Sequence, residues 1–401
     1  MKMKLPDYVS KGMKLLEENG YECYVVGGAV RSFLLRQPVH DYDMTTSALP
    51  EEMQAVFRDY KTIETGLKHG TLTVLIDGQP LEITTFRRDS AYPDHRHPET
   101  VSFSRAVEED CARRDFTVNA LCYNPADGIL DFFGGVKDLK RKILRCIGDA
   151  DSRFNEDALR ILRALRFAAR LDFTIEDSTR KALLNNISLL RFVSMERIRE
   201  ELNGFFSAPL CAPYMKAYRA VFTACLPEGK NITDEEWERT LQVIDNTDQP
   251  LLRMAVLLAC CSSLDAEKTL NELKYSNHEK KQVLNLLQYR RADVSSHTAV
   301  RKLLRFLQVP FEDYVSFRKA LDPQLDDAAV LAEYHAVIRR HECWQLKDMD
   351  ISGNDIAALG FRGKEIAEVL EYLLNLVMED QLGNRRPLLL DAAEAYQKKR
   401  A

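Results

Sequence analysis

Two aspartates one residue apart, Asp41 and Asp43, follow closely on a glycine pair and an arginine, Gly27-Gly28-Ala-Val-Arg31. The apolar run Tyr24-Val25-Val26 predicts a buried strand ending at the Gly-Gly turn. Gly28 to Leu35 then reads as a short helical stretch. A second strand over 41–45 carries both carboxylates, and residues i and i+2 of a strand share a face. Two adjacent hard oxygen ligands beside a glycine turn suit Mg²⁺ and a triphosphate. A third carboxylate follows in Leu81-Glu82-Ile83-Thr84-Thr85-Phe86, where apolar Leu81 and Ile83 alternate with Glu82 and Thr84. Glu82 is therefore expected on the polar face of a neighbouring strand, completing a site in which one ion activates an attacking hydroxyl and another holds the leaving pyrophosphate.

Further along stands Asp110-x-x-Arg113-Arg114-Asp115-x-x-x-Asn119. Adjacent arginines are costly to bury without a ligand, and their forked donors match phosphate oxygens. Asp115 and Asn119 add groups that can bind ribose hydroxyls. Then comes Glu156-Asp157-Ala-Leu-Arg160, expected to open a long helix. On a helix, Asp157 and Arg160 (i, i+3) face the same way, and Glu156 and Arg160 (i, i+4) can pair. One carboxylate plus one guanidinium complements the Watson–Crick edges of cytosine and adenine. It mismatches guanine and uracil, whose donor and acceptor positions are reversed, and leaving polar groups unpaired discriminates strongly. Arg160, Arg163, Arg166 and Arg170 form a stripe on that helix. It is expected to lead away from the nucleotide toward a nucleic-acid backbone.

These segments need a small sheet followed by long helices. The predicted strands, over 23–26, 41–45, 71–76, 81–86 and 129–133, all precede Cys146 and are bounded by turn residues such as Asp77-Gly78. Beyond them, apolar residues recur at helical spacing for about 250 residues, too many for one typical domain. Thr233-x-x-Glu236 and Ser276-x-x-Glu279 read as capping boxes. The 401 residues suggest two to four domains, and 45% hydrophobic with 29% charged content is ordinary for a soluble chain. A net charge of −5 argues against indiscriminate nucleic-acid binding but leaves room for a local basic strip. No stretch reaches the length of a membrane span, and the start of the chain does not read as a signal peptide. Nine scattered cysteines fit reduced thiols in the cytoplasm.

The Gly-Gly/Asp-x-Asp segment resembles the signature of the nucleotidyltransferase superfamily that includes DNA polymerase beta. The wider set of motifs resembles the bacterial class II CCA-adding enzymes, the tRNA nucleotidyltransferase family shared with bacterial poly(A) polymerases. In that resemblance the Gly-Gly/Asp-x-Asp segment corresponds to the catalytic motif, with Asp41 and Asp43 as metal ligands, Arg113-Arg114-Asp115 to the ribose and triphosphate motif, and Glu156-Asp157-x-x-Arg160 to the protein template for CTP and ATP. The expected catalytic residues are Asp41, Asp43 and Glu82, and Gly28, Arg31, Asn119 and Arg163 are expected to join the two nucleotide-binding motifs. The segment around Glu196-Arg197 and Glu201 resembles the helix closing the neck, and residues 351–363 the tail. Tyr92-x-Asp94-x-Arg96 resembles the loop with which full CCA-adding enzymes switch from C to A. One position departs from the family: Ser32 stands where an aspartate is usual, which removes a charge.

The resemblance implies an α+β chain. A nucleotidyltransferase head (1–145) is followed by an elongated helical neck (146–206), body (207–295) and tail (296–401). It implies a cytoplasmic enzyme that uses Mg²⁺, CTP and ATP on the 3′ end and acceptor stem of tRNA, without a membrane or a protein partner. A poly(A) polymerase, a CC-only or A-only enzyme and a catalytically silent RNA-binding homologue stay open. An added phosphohydrolase does not, because no His-Asp motif follows residue 145.

Overall fold

The computed structural model describes residues 2–89 and 101–400. The chain divides into two compact units, Met1–Lys230 with Glu272–Lys274, and Asn231–Asn271 with Tyr275–Ala401.

The first unit begins with a sheet. Its strands are β1 (Cys23–Val26), β2 (Asp43–Thr46), β3 (Lys61–Ile63), β4 (Thr71–Ile76) and β5 (Gln79–Thr85). After a separate antiparallel ribbon of β6 (Arg87–Asp89) and β7 (Val101–Phe103) come β8 (Cys122–Asn124) and β9 (Gly128–Leu130). Seven of these strands form one sheet in the order β3-β4-β5-β2-β1-β8-β9. It is mixed: β2 runs parallel to β5, and the other pairings are antiparallel. The β4–β5 hairpin turns at Asp77 and Gly78, both with φ positive (50° and 77°), which matches strand twist in a two-residue turn.

Helix α1 (Asp7–Glu18) covers one face of the sheet through Val9, Met13 and Leu16. The approach is so close that a Cβ on Gly12 would lie 2.6 Å from Leu81 Cδ2. Leu72, Val74, Ile76, Leu81 and Ile83 are fully buried, each worth about 1.5–3 kcal/mol of transfer free energy.

Two sequence expectations are corrected here. Asp41 is not on a strand, because β2 begins only at Asp43 and Asp41 lies in the preceding irregular segment. Strands also do not stop at Cys146: β10 (Ile143–Leu144) pairs in parallel with β11 (Thr174–Ile175). Two-residue strands carry too little alternation to be seen in a sequence.

The helices between and after the strands are α2 (Gly28–Leu34), α3 (Pro50–Val56), α4 (Val107–Ala112), α5 (Gly135–Arg141), α6 (Ala150–Glu156), α7 (Leu159–Leu171), α8 (Asp177–Asn185) and α9 (Met195–Phe206). The expected single helix through Glu156, Asp157 and Arg160 is two helices. Glu156 ends α6, Asp157 is extended (φ −143°, ψ 104°), and α7 starts at Leu159. Asp149 caps α6 by accepting from the Ser152 N–H, and α6 closes within two turns. Helix α7 buries Ile161, Leu162, Leu165 and Ala168 on one side and turns its arginines to the other, packing against α9.

The second unit is helical throughout its described residues. Both expected capping boxes form, at Thr233/Glu236 and Ser276/Glu279. Near the C-terminal end Ile356, Val369, Leu373, Leu374, Val377 and Leu389 make a separate core. No helix among the described residues is long and apolar enough to cross a membrane.

Candidate active site

Backbone register sets the acidic edge of the site. Val26, the last residue of β1, pairs with Asp43, and Asp43 pairs on its other side with Glu82 of β5. The end of β1 thus delivers the Gly-Gly turn beside Asp43. Gly27 caps α2 with φ +64° and ψ −119°, a conformation strained for any other residue, and a Cβ there would lie 3.4 Å from an Arg114 amine nitrogen. Burial raises the Asp43 carboxyl above its ordinary range, Glu82 and Asp41 push the same way, and Arg114 opposes them.

A cavity of about 550 Å³ opens from this edge. Of the sequence-derived candidates, the structure brings Gly28, Arg31, Asp43, Arg113, Arg114, Asp115, Asn119, Asp157, Arg160 and Arg163 into its wall. Asp41 lines a neighbouring cavity of about 540 Å³, which shares Gly28, Arg31, Asp43 and Arg170 with the first and also holds Ser32. Glu82 and Glu156 line neither. Tyr92, Asp94 and Arg96 lie outside the described residues.

Buried carboxylates hold the basic wall. Asp110, fully buried at the base of α4, accepts from Arg113 Nε at 2.9 Å and from an Arg114 amine at 3.0 Å. Burial alone would raise its pKa, but the two guanidiniums more than offset that and hold it low. Asp115 behaves alike. Burial opposes its charge, yet Arg163 at 2.6 Å, the Asn119 amide at 2.9 Å and the Phe116 N–H at 2.8 Å keep it ionised. Asn119 in turn accepts from Arg31. Burial, with Arg170, Arg166 and Arg163 nearby, brings Arg31 down to about 10 against the help of Asp115. Its Nε is buried without a protein partner, as is that of Arg114.

Asp157 and Arg160 are held differently from the expectation. Arg160 pairs with Glu156, as expected, and also donates to the carbonyls of Arg153 (2.9 Å) and Arg113 (3.2 Å). Asp157, however, pairs with Arg197 of α9 through two bonds of 2.8 and 3.2 Å, not with Arg160. Its extended backbone, rather than a shared helix face, puts it in the cavity. The arginine stripe is also corrected. All four arginines line the same cavity as Asp43, so the stripe does not lead away from it.

Three groups acquire roles that the sequence did not assign. Arg197 anchors Asp157. Glu201 holds Arg166 at 2.6 Å and Arg163 at 3.6 Å. The Phe167 ring has the guanidinium carbons of Arg166, Arg31 and Arg163 at 4.4, 5.1 and 5.3 Å from its centre. Gly204 of α9 makes room for this arrangement, since a Cβ there would collide with Arg166 Cδ. An aromatic residue set among arginines at helical spacing was the one available signal for Phe167. Partners 35 to 40 residues distant left none.

The arrangement combines an acidic edge, a glycine turn and a deep basic wall. It can seat a polyanion with its reacting phosphorus at Asp43 and a planar polar group between Asp157 and Arg160.

Known proteins share this architecture. The poly(A) polymerase head domain matches residues 23–145, and tRNA nucleotidyltransferase domain 2 matches residues 251–393. The CCA-adding enzyme of Lactobacillus helveticus is 35% identical over 98% of both chains. That of Streptococcus uberis is 43% identical over 71% of this chain and 72% of its own. The crystal structure of the Bacillus stearothermophilus CCA-adding enzyme in complex with CTP superposes with a TM-score of 0.85 at 27% identity, covering 99% of each chain. The chain belongs to the family of CCA-adding enzymes, which are tRNA nucleotidyltransferases.

Proposed function

We propose that this protein adds CCA to the 3′ end of tRNA, one nucleotide at a time, from CTP and ATP. The observation that carries the reading is the single cavity in which the Asp43 edge, the Arg113/Arg114 pair and the Asp157/Arg160 pair meet.

Triphosphate oxygens are bound by Arg113 and Arg114, which Asp110 holds in place. Arg31, Arg163 and Arg166 add positive potential around the polyanion. Arg160, fixed by Glu156 and two carbonyls, donates to the ring nitrogen of cytosine or adenine. Asp157 accepts from Arg197 through both oxygens and from the Leu159 N–H through Oδ1, and its remaining lone pair accepts from the exocyclic amine. The same wall offers uracil and guanine a carboxylate where they present a carbonyl oxygen. The neighbouring cavity, reached across Asp43, receives the 3′ end of the RNA. Its terminal hydroxyl attacks the α-phosphorus in line, and pyrophosphate leaves toward the arginines.

The acidic edge suits Mg²⁺. Among the described residues Asp41, Asp43 and Glu82 form no ion pair, and their mutual repulsion is what a cation relieves. No three His, Cys, Asp or Glu side chains among the described residues close into a metal cage. Mg²⁺ needs none, because it binds through one or two carboxylates with waters and substrate phosphates. When bound there it would lower the pKa of the attacking hydroxyl and neutralise the leaving group. Asp41 and Asp43 are its proposed ligands, with Glu82 supporting Asp43. The proposed division is a head (1–145), neck (146–206), body (207–295) and tail (296–401), in a cytoplasmic enzyme.

The test uses a tRNA transcript ending at the discriminator base, the pure protein, Mg²⁺ and CTP, ATP or both. Two additions from CTP, a third only with ATP, and then a stop are expected. A long ladder from ATP alone would make it a poly(A) polymerase. A stop at two with both nucleotides present would make it a CC-adding enzyme, and no addition a silent homologue.

A further inference from the structure

In the helical second unit a cavity of about 420 Å³ has four arginines in its wall, Arg239, Arg290, Arg291 and Arg318. Backbone carbonyls orient three of them. Arg239 donates to Cys260 O at 2.9 Å, Arg290 to Leu287 O at 2.7 Å, and Arg318 to Ala292 O at 2.7 Å. Arg318 also donates to the Tyr314 hydroxyl at 2.6 Å. None of the four forms a carboxylate ion pair among the described residues. Other buried arginines of this unit do: Arg253 with Asp245 and Arg301 with Asp380. Asp322 is the one carboxylate in the wall. Asp293 is held below its ordinary range first by hydrogen bonds from Ser295, with Arg318 the smallest contributor.

Four forked cations facing one cavity against a single wall carboxylate leave an excess positive charge, and the carbonyls and the Tyr314 hydroxyl take only part of their donor capacity. A carboxylate ligand offers one charge and two oxygens. A phosphate offers more of both, and its geometry matches guanidinium forks. We propose that this cavity is a phosphate site, separate from the nucleotide cavity. It takes phosphate oxygens either from a phosphodiester of bound RNA or from a free polyphosphate. The RNA source rests on the tRNA reading above; the phosphate chemistry does not.

The test compares the full chain with the variants Arg239→Gln/Arg291→Gln and Arg290→Gln/Arg291→Gln. All three positions are exposed, and thermal melting checks each fold. One arm measures tRNA-transcript affinity at several salt concentrations. If RNA supplies the phosphate, affinity falls roughly 5–20-fold at low salt, and the slope of log affinity against log salt flattens by about one to two, as expected for lost phosphate contacts. The second arm titrates inorganic pyrophosphate calorimetrically. If the ligand is a free polyphosphate, one of two binding events disappears in both variants while tRNA affinity holds. Unchanged tRNA salt slope and unchanged pyrophosphate stoichiometry in both variants would overturn the proposal. A native chain that binds no tRNA would defeat the tRNA reading alone, and the pyrophosphate arm would still decide this one.

Discussion

The two sides of the candidate active site are built by different means. The acidic edge is a product of backbone register: Val26, Asp43 and Glu82 are neighbours because β1, β2 and β5 pair as they do. The basic wall is a product of side-chain pairing between residues far apart in sequence: Asp115 with Arg163, Asp157 with Arg197, Arg166 with Glu201. The edge concentrates like charge and leaves it unpaired, whereas the wall pairs most of its arginines with carboxylates. An unpaired carboxylate edge costs the fold something and is open to a cation. A paired basic wall is rigid before the nucleotide arrives, so less ordering is needed on binding. Removing a group from the edge should therefore cost chemistry, and removing one from the wall should cost structure, affinity or selectivity.

The largest effect is expected at the edge. Asp43→Ala should lower incorporation of CMP and AMP alike by about three orders of magnitude or more, roughly 4 kcal/mol of transition-state stabilisation. Its melting temperature should not fall. Single-turnover rates with Mg²⁺ and melting of the same sample measure both, and near-normal turnover would remove Asp43 from the mechanism.

Asp110→Ala probes the wall where it is most deeply buried. The substitution leaves Arg113 and Arg114 facing each other without their shared partner, and breaking a buried pair this way costs about 3–5 kcal/mol. Denaturant unfolding should show the loss. Binding of all four nucleoside triphosphates should weaken together, because phosphate contacts carry no base information. Unchanged stability would mean that the wall is not held as described.

Arg160→Ala should act on choice of base. Preference for CTP over UTP, as a ratio of kcat/KM, should fall by one to two orders of magnitude, while Arg114→Ala slows both nucleotides equally. Arg197→Ala sharpens the comparison, since it frees Asp157 without touching the base. If it preserves selectivity, Asp157 does not depend on its anchor.

These contrasts also mark what a reader of the sequence could see. Gly27-Gly28, Asp43 and Glu82 were legible because a strand pattern spans only a few residues and its alternation fixes which side chains share a face. Asp41 was misplaced by two residues because strand ends follow pairing partners, not composition. The break at Asp157 was invisible: Glu156 to Arg160 has helical spacing, and an extended residue between two helices leaves no Gly or Pro as a mark. Arg197 and Glu201 were seen as a motif, but their partners were set by how α7 packs on α9, which a single chain of letters does not encode. The stripe from Arg160 to Arg170 was read correctly as one face, and only its direction required the fold.

A pH experiment sharpens the contrast further. The Asp43 carboxyl is raised in the fold above its ordinary value near 3.9. A raised acid contributes stability below the unfolded pKa and loses that contribution as pH rises through the folded one. In a chelator at neutral pH, Asp43→Asn should therefore be slightly more stable than the native chain, with the difference vanishing as pH falls toward 4. Asp110 and Asp115 are shifted the opposite way. Their contribution is present above the ordinary carboxylate range and is lost as pH falls through their depressed values. Urea melts across this range should separate the two sides, and an equal response to acid in native and Asp43→Asn chains would erase the distinction.

The smallest effect is expected at Phe167, which belongs to the wall without carrying a charge. Its ring is buried, meets Phe116 edge-on with centroids 6.0 Å apart, and faces three guanidiniums. Leucine would keep most of the packing but has no aromatic face, and each such contact is worth about 0.5–1 kcal/mol where it is partly exposed. Arg163 and Arg166 would still be held by Asp115 and Glu201, so only Arg31, bonded to Asn119 and lacking a carboxylate of its own in that contact, should drift. Phe167→Leu should thus raise KM for CTP and ATP alike by roughly three- to tenfold, about 1 kcal/mol, and leave the CTP/UTP ratio intact. Should selectivity drop as far as in Arg160→Ala, the ring would be positioning the base rather than the phosphates. The proposed division of the wall into a phosphate-holding part and a base-reading part would then have to be redrawn around it.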